Sequence, residues 1–166
     1  MTDGEKREIR VELESAHFNL SAHGFRLWAK QYYDCRHSFT CSDFSPVPYF
    51  LLCLAIELQF KAVHLEQSNP APPGHRTQDD IKNLYWHDLV SSYRDLPAAY
   101  RTLSPNQYDV LKKANEVYSK KGFEYVNVHD AVRAFSNFPK LEDLDELATA
   151  IMTALPFVLP TPARPS

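Results

Sequence analysis

The stretch from Pro48 to Gln67, PYFLLCLAIELQFKAVHLEQ, limits what this chain can fold into more than any other. Its first ten residues are almost wholly apolar, and a helix apolar on every side is stable only where neighbours cover it all round. That places it at the centre of a helical bundle. The preceding Ser45-Pro46-Val47-Pro48 suits a helix start, because proline is pre-shaped for the first turn and lacks only an N–H that has no partner there. Further along, ionisable groups continue the apolar stripe. At about 100° per residue, Glu57, Lys61 and His64 share a face with Phe50, Cys53 and Leu54. Glu57 precedes Lys61 at the favoured i,i+4 spacing, and burial would make each the other's necessary partner. Gln59 and Glu66 fall on the opposite side, where the second half of the helix is expected to meet water.

The rest of the chain supplies helices to pack around this one. A polar arm covers residues 1–12, and a first helix is expected from Leu13 to Cys35, with Phe18, Ala22, Phe25, Ala29 and Tyr32 as its core stripe. Gly24 weakens that helix and suits a close helix crossing. The proline-rich run from Ser68 to His75 cannot continue a helix and reads as a surface loop. A third helix is expected from near Trp86 to Leu96, burying Leu89, Tyr93 and Leu96 and carrying His87 and Asp88 in its first turn. There the unpaired N–H groups favour the Asp88 carboxylate, and a neutral His87 ring is within reach of Glu57 or Lys61.

A fourth helix is the best punctuated. Ser104-Pro105-Asn106-Gln107 forms a capping box with proline at the first position, and Gly122 supplies a left-handed stop. Its stripe is Leu111, Ala114, Val117 and Tyr118. Lys112, Lys113, Lys120 and Lys121 lie outside it, either complementing the helix dipole or facing a phosphate. After Phe123–Asp130, which is either extended or the start of a short helix, a last helix runs from Leu141 to Leu155 with acidic residues at its start. Residues 156–166 alternate proline with small residues and read as an extended tail. The expected architecture is all-α, an up-and-down bundle of four to five helices, with one domain over residues 1–155.

Charge and cysteine usage narrow the function classes. A formal net charge of −3 disfavours broad electrostatic attachment to nucleic acid but leaves room for a local basic patch. Cys35, Cys41 and Cys53 are odd in number and show no C-x-x-C spacing, as expected of reduced thiols. The charged N-terminal stretch has no signal-peptide core, and no apolar run is read as reaching the ~18 residues of a membrane span, so a cytoplasmic protein without membrane contact is expected. Glu14 and His17 form one Glu-x-x-His motif. A di-iron bundle needs two such motifs and two further glutamates, so no metal or other cofactor is expected.

The run AIELQFKAVHL, the proline-rich loop, WHDLVSSYRDL and the capped fourth helix together resemble the helical-bundle superfamily called higher eukaryotes and prokaryotes nucleotide-binding, or HEPN. The resemblance covers roughly residues 15–155. Glu57 and Lys61 match an E-L-x-x-K signature, and His87, Asp88 and Leu89 match H-D-L. It implies a homodimeric bundle in a superfamily dominated by ribonucleases and RNA-binding modules of prokaryotic defence and toxin systems. Its nucleases carry an arginine and a histidine with four to six residues between them near the start of a late helix. The corresponding region here has Asn127 and His129 with no such arginine, and Arg10 with His17, which fits the spacing, lies in the N-terminal arm.

Two function classes follow. One is an RNA- or nucleotide-associated module, with His129 and His87 as candidate catalytic residues of a metal-independent ribonuclease. Its candidate ligand-binding residues are Glu57, Lys61, His64, Asp88, Asn127, Lys120 and Lys121. A lone histidine supplies only the acid–base part of RNA cleavage, without the cation for the phosphate, so standard activity is not expected. The other class is a bundle that homodimerises or docks a protein partner, its internal charges fixing helix register.

Overall fold

The computed structural model describes residues 21–41, 45–67, 87–123 and 138–155, and these are all-helical, with no strand among them. The helices are α1 (Ala22–Ser38), α2 (Val47–Gln67), α3 (Leu89–Arg94), α4 (Pro105–Tyr118) and α5 (Leu141–Ala154), with a 3-10 turn at Ala98–Tyr100. The central position of α2 is confirmed: it packs against each of the other four helices. Thirteen of its residues are buried, Glu57 and Gln59 among them. By length and composition α2 could cross a membrane, which corrects the expectation of no such run, yet 72% of its most apolar window is buried inside the protein.

Two apolar clusters flank α2. On one side Leu52, Cys53, Ile56, Phe60 and Val63 meet Leu89 and Tyr93 of α3, Leu111 and Ala114 of α4, and Leu144, Leu147 and Ile151 of α5. On the other, Leu58, Ala62 and Leu65 meet Phe25 and Ala29 of α1, with Trp28 and Met152 at the margin. Stacked rings of Tyr49, Phe123 and Phe138, 5.2 to 5.8 Å between centroids, close one end of the larger cluster.

The boundaries of α1 differ from expectation. Ser21 is extended (φ −87°, ψ 161°) and its Oγ accepts the Gly24 N–H at 3.1 Å, so it is an N-cap and α1 begins at Ala22. Gly24 therefore sits in the first turn rather than in a helix interior. Residues 13–20 of the expected helix, with Phe18, lie outside the described residues. Tyr32 is exposed, and its neighbour Tyr33 is the ring that packs against the core.

The capping box is present as read: the Ser104 Oγ accepts the Gln107 N–H, and the Gln107 Oε1 accepts the Ser104 N–H. The far end of α4 corrects the sequence reading. The left-handed residue is Lys121 (φ 57°), with the Gly122 N–H bonded to Val117 O and the Lys121 N–H to Tyr118 O, the two bonds of a Schellman stop. Gly122 is needed one place further on, for space. A Cβ there would lie 2.7 Å from Val117 Cγ1.

Candidate functional site

Four ionisable side chains converge on the middle of α2. Glu57 is buried, and the i,i+4 spacing brings the Lys61 Nζ to its Oε1 at 2.5 Å. Its other oxygen takes two donors: the Tyr118 hydroxyl from α4 and, at 2.9 Å, Nδ1 of His87 from the segment before α3. A carboxylate acceptor fixes the His87 tautomer, with a proton on Nδ1. The side chains are 5% exposed for Glu57, 12% for Lys61 and 24% for His87, so a buried anion is overlain by two groups that reach the surface. Burial raises the Glu57 pKa, but the His87 hydrogen bond and the Lys61 charge outweigh it, assisted by Tyr118, and hold the carboxyl at about 2. Cys53, one turn earlier on α2, is pushed up by burial and by the Glu57 charge, which keeps its thiol protonated and poorly nucleophilic.

His87 and Asp88 are placed differently from the sequence reading. The third helix begins at Leu89, and Asp88 is its N-cap, accepting the Ser91 N–H at 3.0 Å and the Ser91 hydroxyl at 2.7 Å. Burial raises the Asp88 carboxyl, and these bonds together with one from Asn115 bring it below its ordinary value. His87 precedes the helix in a left-handed backbone (φ 53°), uncommon for a residue with a Cβ and retained only where the surroundings hold it. Asn115 of α4 does so. Its Oδ1 accepts the Leu89 N–H at 2.8 Å, and its Nδ2 donates to Asp88 at 3.2 Å. The His87 ring meets the Tyr118 ring edge-on at 5.4 Å.

Among the described residues, the remaining candidates do not join this cluster. His64, on the same face of α2, donates from Nε2 to the Ser92 carbonyl at 3.0 Å and so ties α2 to α3. Lys120 is exposed beyond the end of α4, and Lys121 holds the left-handed position of its stop. Asn127 and His129, together with the Glu14–His17 motif and the proline-rich loop, lie outside the described residues. No group of three metal-ligating side chains occurs among the described residues.

A second polar network had no sequence signal. Gln59, expected to face water, is instead fully buried between α1 and α5, while Glu66 is exposed as expected. Arg26 of α1, itself buried, grips both Glu66 oxygens at 2.7 and 3.1 Å and donates to Gln59 at 3.3 Å and to the Leu155 carbonyl at 2.8 Å. The Gln59 amide in turn donates to the Met152 sulfur at 3.2 Å. One guanidinium thus joins two helices and the end of a third. A further seam between α1 and α5 pairs Arg36 with Asp145 at 2.7 Å and Tyr33 with Thr149 at 2.7 Å.

Protein-family models, curated proteins and solved structures contain no match to this chain.

Proposed function

We propose that this chain is a HEPN-like, up-and-down bundle that associates with RNA or a nucleotide, acts as a homodimer, and lacks the standard metal-independent ribonuclease activity of that superfamily. The observation that carries the reading is the meeting of Glu57, Lys61 and His87 around one carboxylate. Residues thirty positions apart, the ones that carry the E-L-x-x-K and H-D-L resemblance, are brought together with Lys61 and His87 reaching the surface. Lysine and a histidine ring at a surface edge suit phosphate, lysine as a point charge and imidazole as a directed donor. Glu57 holds both in place. Absence of activity follows from the chemistry. His129 has no arginine at the required spacing, and losing such an electrostatic contact typically costs ~100-fold or more in rate.

The test has two arms. Purified protein is incubated with mixed RNA, with and without a chelator, beside His129→Ala; robust metal-independent cleavage lost in the variant would overturn the inactive reading. Binding of short RNA is then measured for wild type and for Lys61→Gln, with thermal unfolding as the control for folding. Weakened binding by a folded variant is expected.

A second reading, that the cluster only fixes helix register in a bundle that dimerises or docks a protein, is favoured by one observation. Glu57 is almost fully buried and already takes three donors. Salt-independent self-association of a protein that binds neither RNA nor nucleotide would select it.

A further inference from the structure

His87 brings an imidazole onto the Glu57 carboxylate. Among the described residues, the ionisable groups around its imidazole are Glu57 at 2.9 Å, Lys61 on the other oxygen of that carboxylate, Tyr118 across the ring contact, and Asp88 next in the chain. Glu57 stays ionised down to about pH 2, and the Tyr118 hydroxyl keeps its proton as a donor to it. Asp88, capping α3, is held below the ordinary carboxylate range. Histidine is the one side chain here of a type that ordinarily changes charge near neutral pH. With a neutral ring, the charges of Glu57 and Lys61 cancel. With imidazolium, the same cluster gains one positive charge beside Lys61, at side chains that reach the surface.

The geometry points to a proton-gated anion site: a phosphodiester ligand such as single-stranded RNA binds at the Lys61–His87 edge when His87 carries its second proton and is released when it does not. The proposal rests on the RNA-associated reading above and adds its regulation. The site is built rather than incidental. The left-handed backbone at His87, the Asn115 bonds to Asp88 and Leu89, and the Tyr118 hydroxyl on Glu57 come from separate elements, and together they fix the ring against the carboxylate.

The probe is a short single-stranded RNA without a terminal phosphate, whose phosphodiester charge is constant near neutrality, so any pH dependence belongs to the protein. Affinity is measured at fixed ionic strength, because phosphate contacts are salt-dependent. Wild type is expected to bind roughly tenfold tighter at about pH 5.5 than at about pH 8. In His87→Gln the amide still donates to Glu57 but cannot charge, and that rise is expected to disappear. A second measurement does not need the variant to fold. The His87 ring is titrated by NMR in wild type, free and saturated with RNA, and its midpoint is expected to rise by about one unit, since a tenfold linkage is reciprocal. An equal pH profile in wild type and His87→Gln, or a midpoint unmoved by RNA, overturns the gating and leaves RNA association standing. Folded wild type that binds no RNA at any pH overturns both.

Discussion

Glu57 shows how far burial changes the weight of a single charge. Its pair with Lys61 has the same spacing as Lys30 and Asp34 on the surface of α1, whose side chains are 52% and 54% exposed. The buried pair has given up its water, so truncating one partner strands the other. Glu57→Ala is expected to cost about 3–5 kcal/mol in chemical denaturation, and Lys30→Ala less than about 1 kcal/mol. The same carboxylate predicts a response to acid. Its folded pKa, about 2, lies below the ordinary 4.5, so its contribution is complete above about pH 4.5 and is lost as pH falls toward 2. That loss is about 3 kcal/mol. Glu57→Gln should be the less stable protein at neutral pH yet lose less stability over that acid range, as urea midpoints at several pH values will show. Cysteine reactivity follows the same logic. Cys35 and Cys41 are exposed while Cys53 is buried with a raised pKa, so a thiol-alkylating reagent should modify two cysteines in the folded protein and the third only in denaturant, counted by mass spectrometry.

Elements were legible where their signals are local. The capping box of α4 is written within four consecutive residues, and it formed as read. The ends of α1 and α3 were harder because their caps compete with neighbours that look equally helical. Ser21 ends the α1 pattern inside an apolar periodicity that continues on both sides, and Asp88 leaves His87 outside α3 through bonds to Ser91 and Asn115. Glycine is the usual left-handed residue, so the sequence points to Gly122 for the stop of α4, one residue too late. Here Lys121 takes that conformation and Gly122 makes room for Val117. Substitutions separate the two roles. Lys121→Gly should relieve a strained backbone and stabilise by up to about 1 kcal/mol. Gly122→Ala places a Cβ against Val117 Cγ1 and its carbonyl and should destabilise by about 1–3 kcal/mol. Equal effects of the two changes in thermal unfolding would contradict the assignment of the left-handed site to Lys121.

At the scale of the molecule, one apolar helix was enough to predict the centre of the fold, because a segment without a polar face can be placed only one way. Partner choice was not legible in the same manner. Glu57 and Lys61 find each other within one helix, whereas the sequence leaves the His87 contact open between them. Arg26 of α1 meets Gln59 and Glu66 of α2, and no periodicity announces a contact between residues forty positions apart. Their network makes α1 and the end of α5 depend on α2, so the most stable part should be the helix that every other described helix touches. Hydrogen exchange tests this directly. Buried amides in the middle of α2, around Ile56 to Phe60, should exchange only through global unfolding, with protection equal to the unfolding free energy, whereas amides of α3, six residues long, should open at lower cost. Arg26→Met, which deletes the bonds to Glu66, Gln59 and Leu155, should lower protection in α1 and the last turn of α5 more than in α3 or α4. A uniform loss across all helices would mean that the bundle unfolds as one unit and that this network does not specifically secure α1.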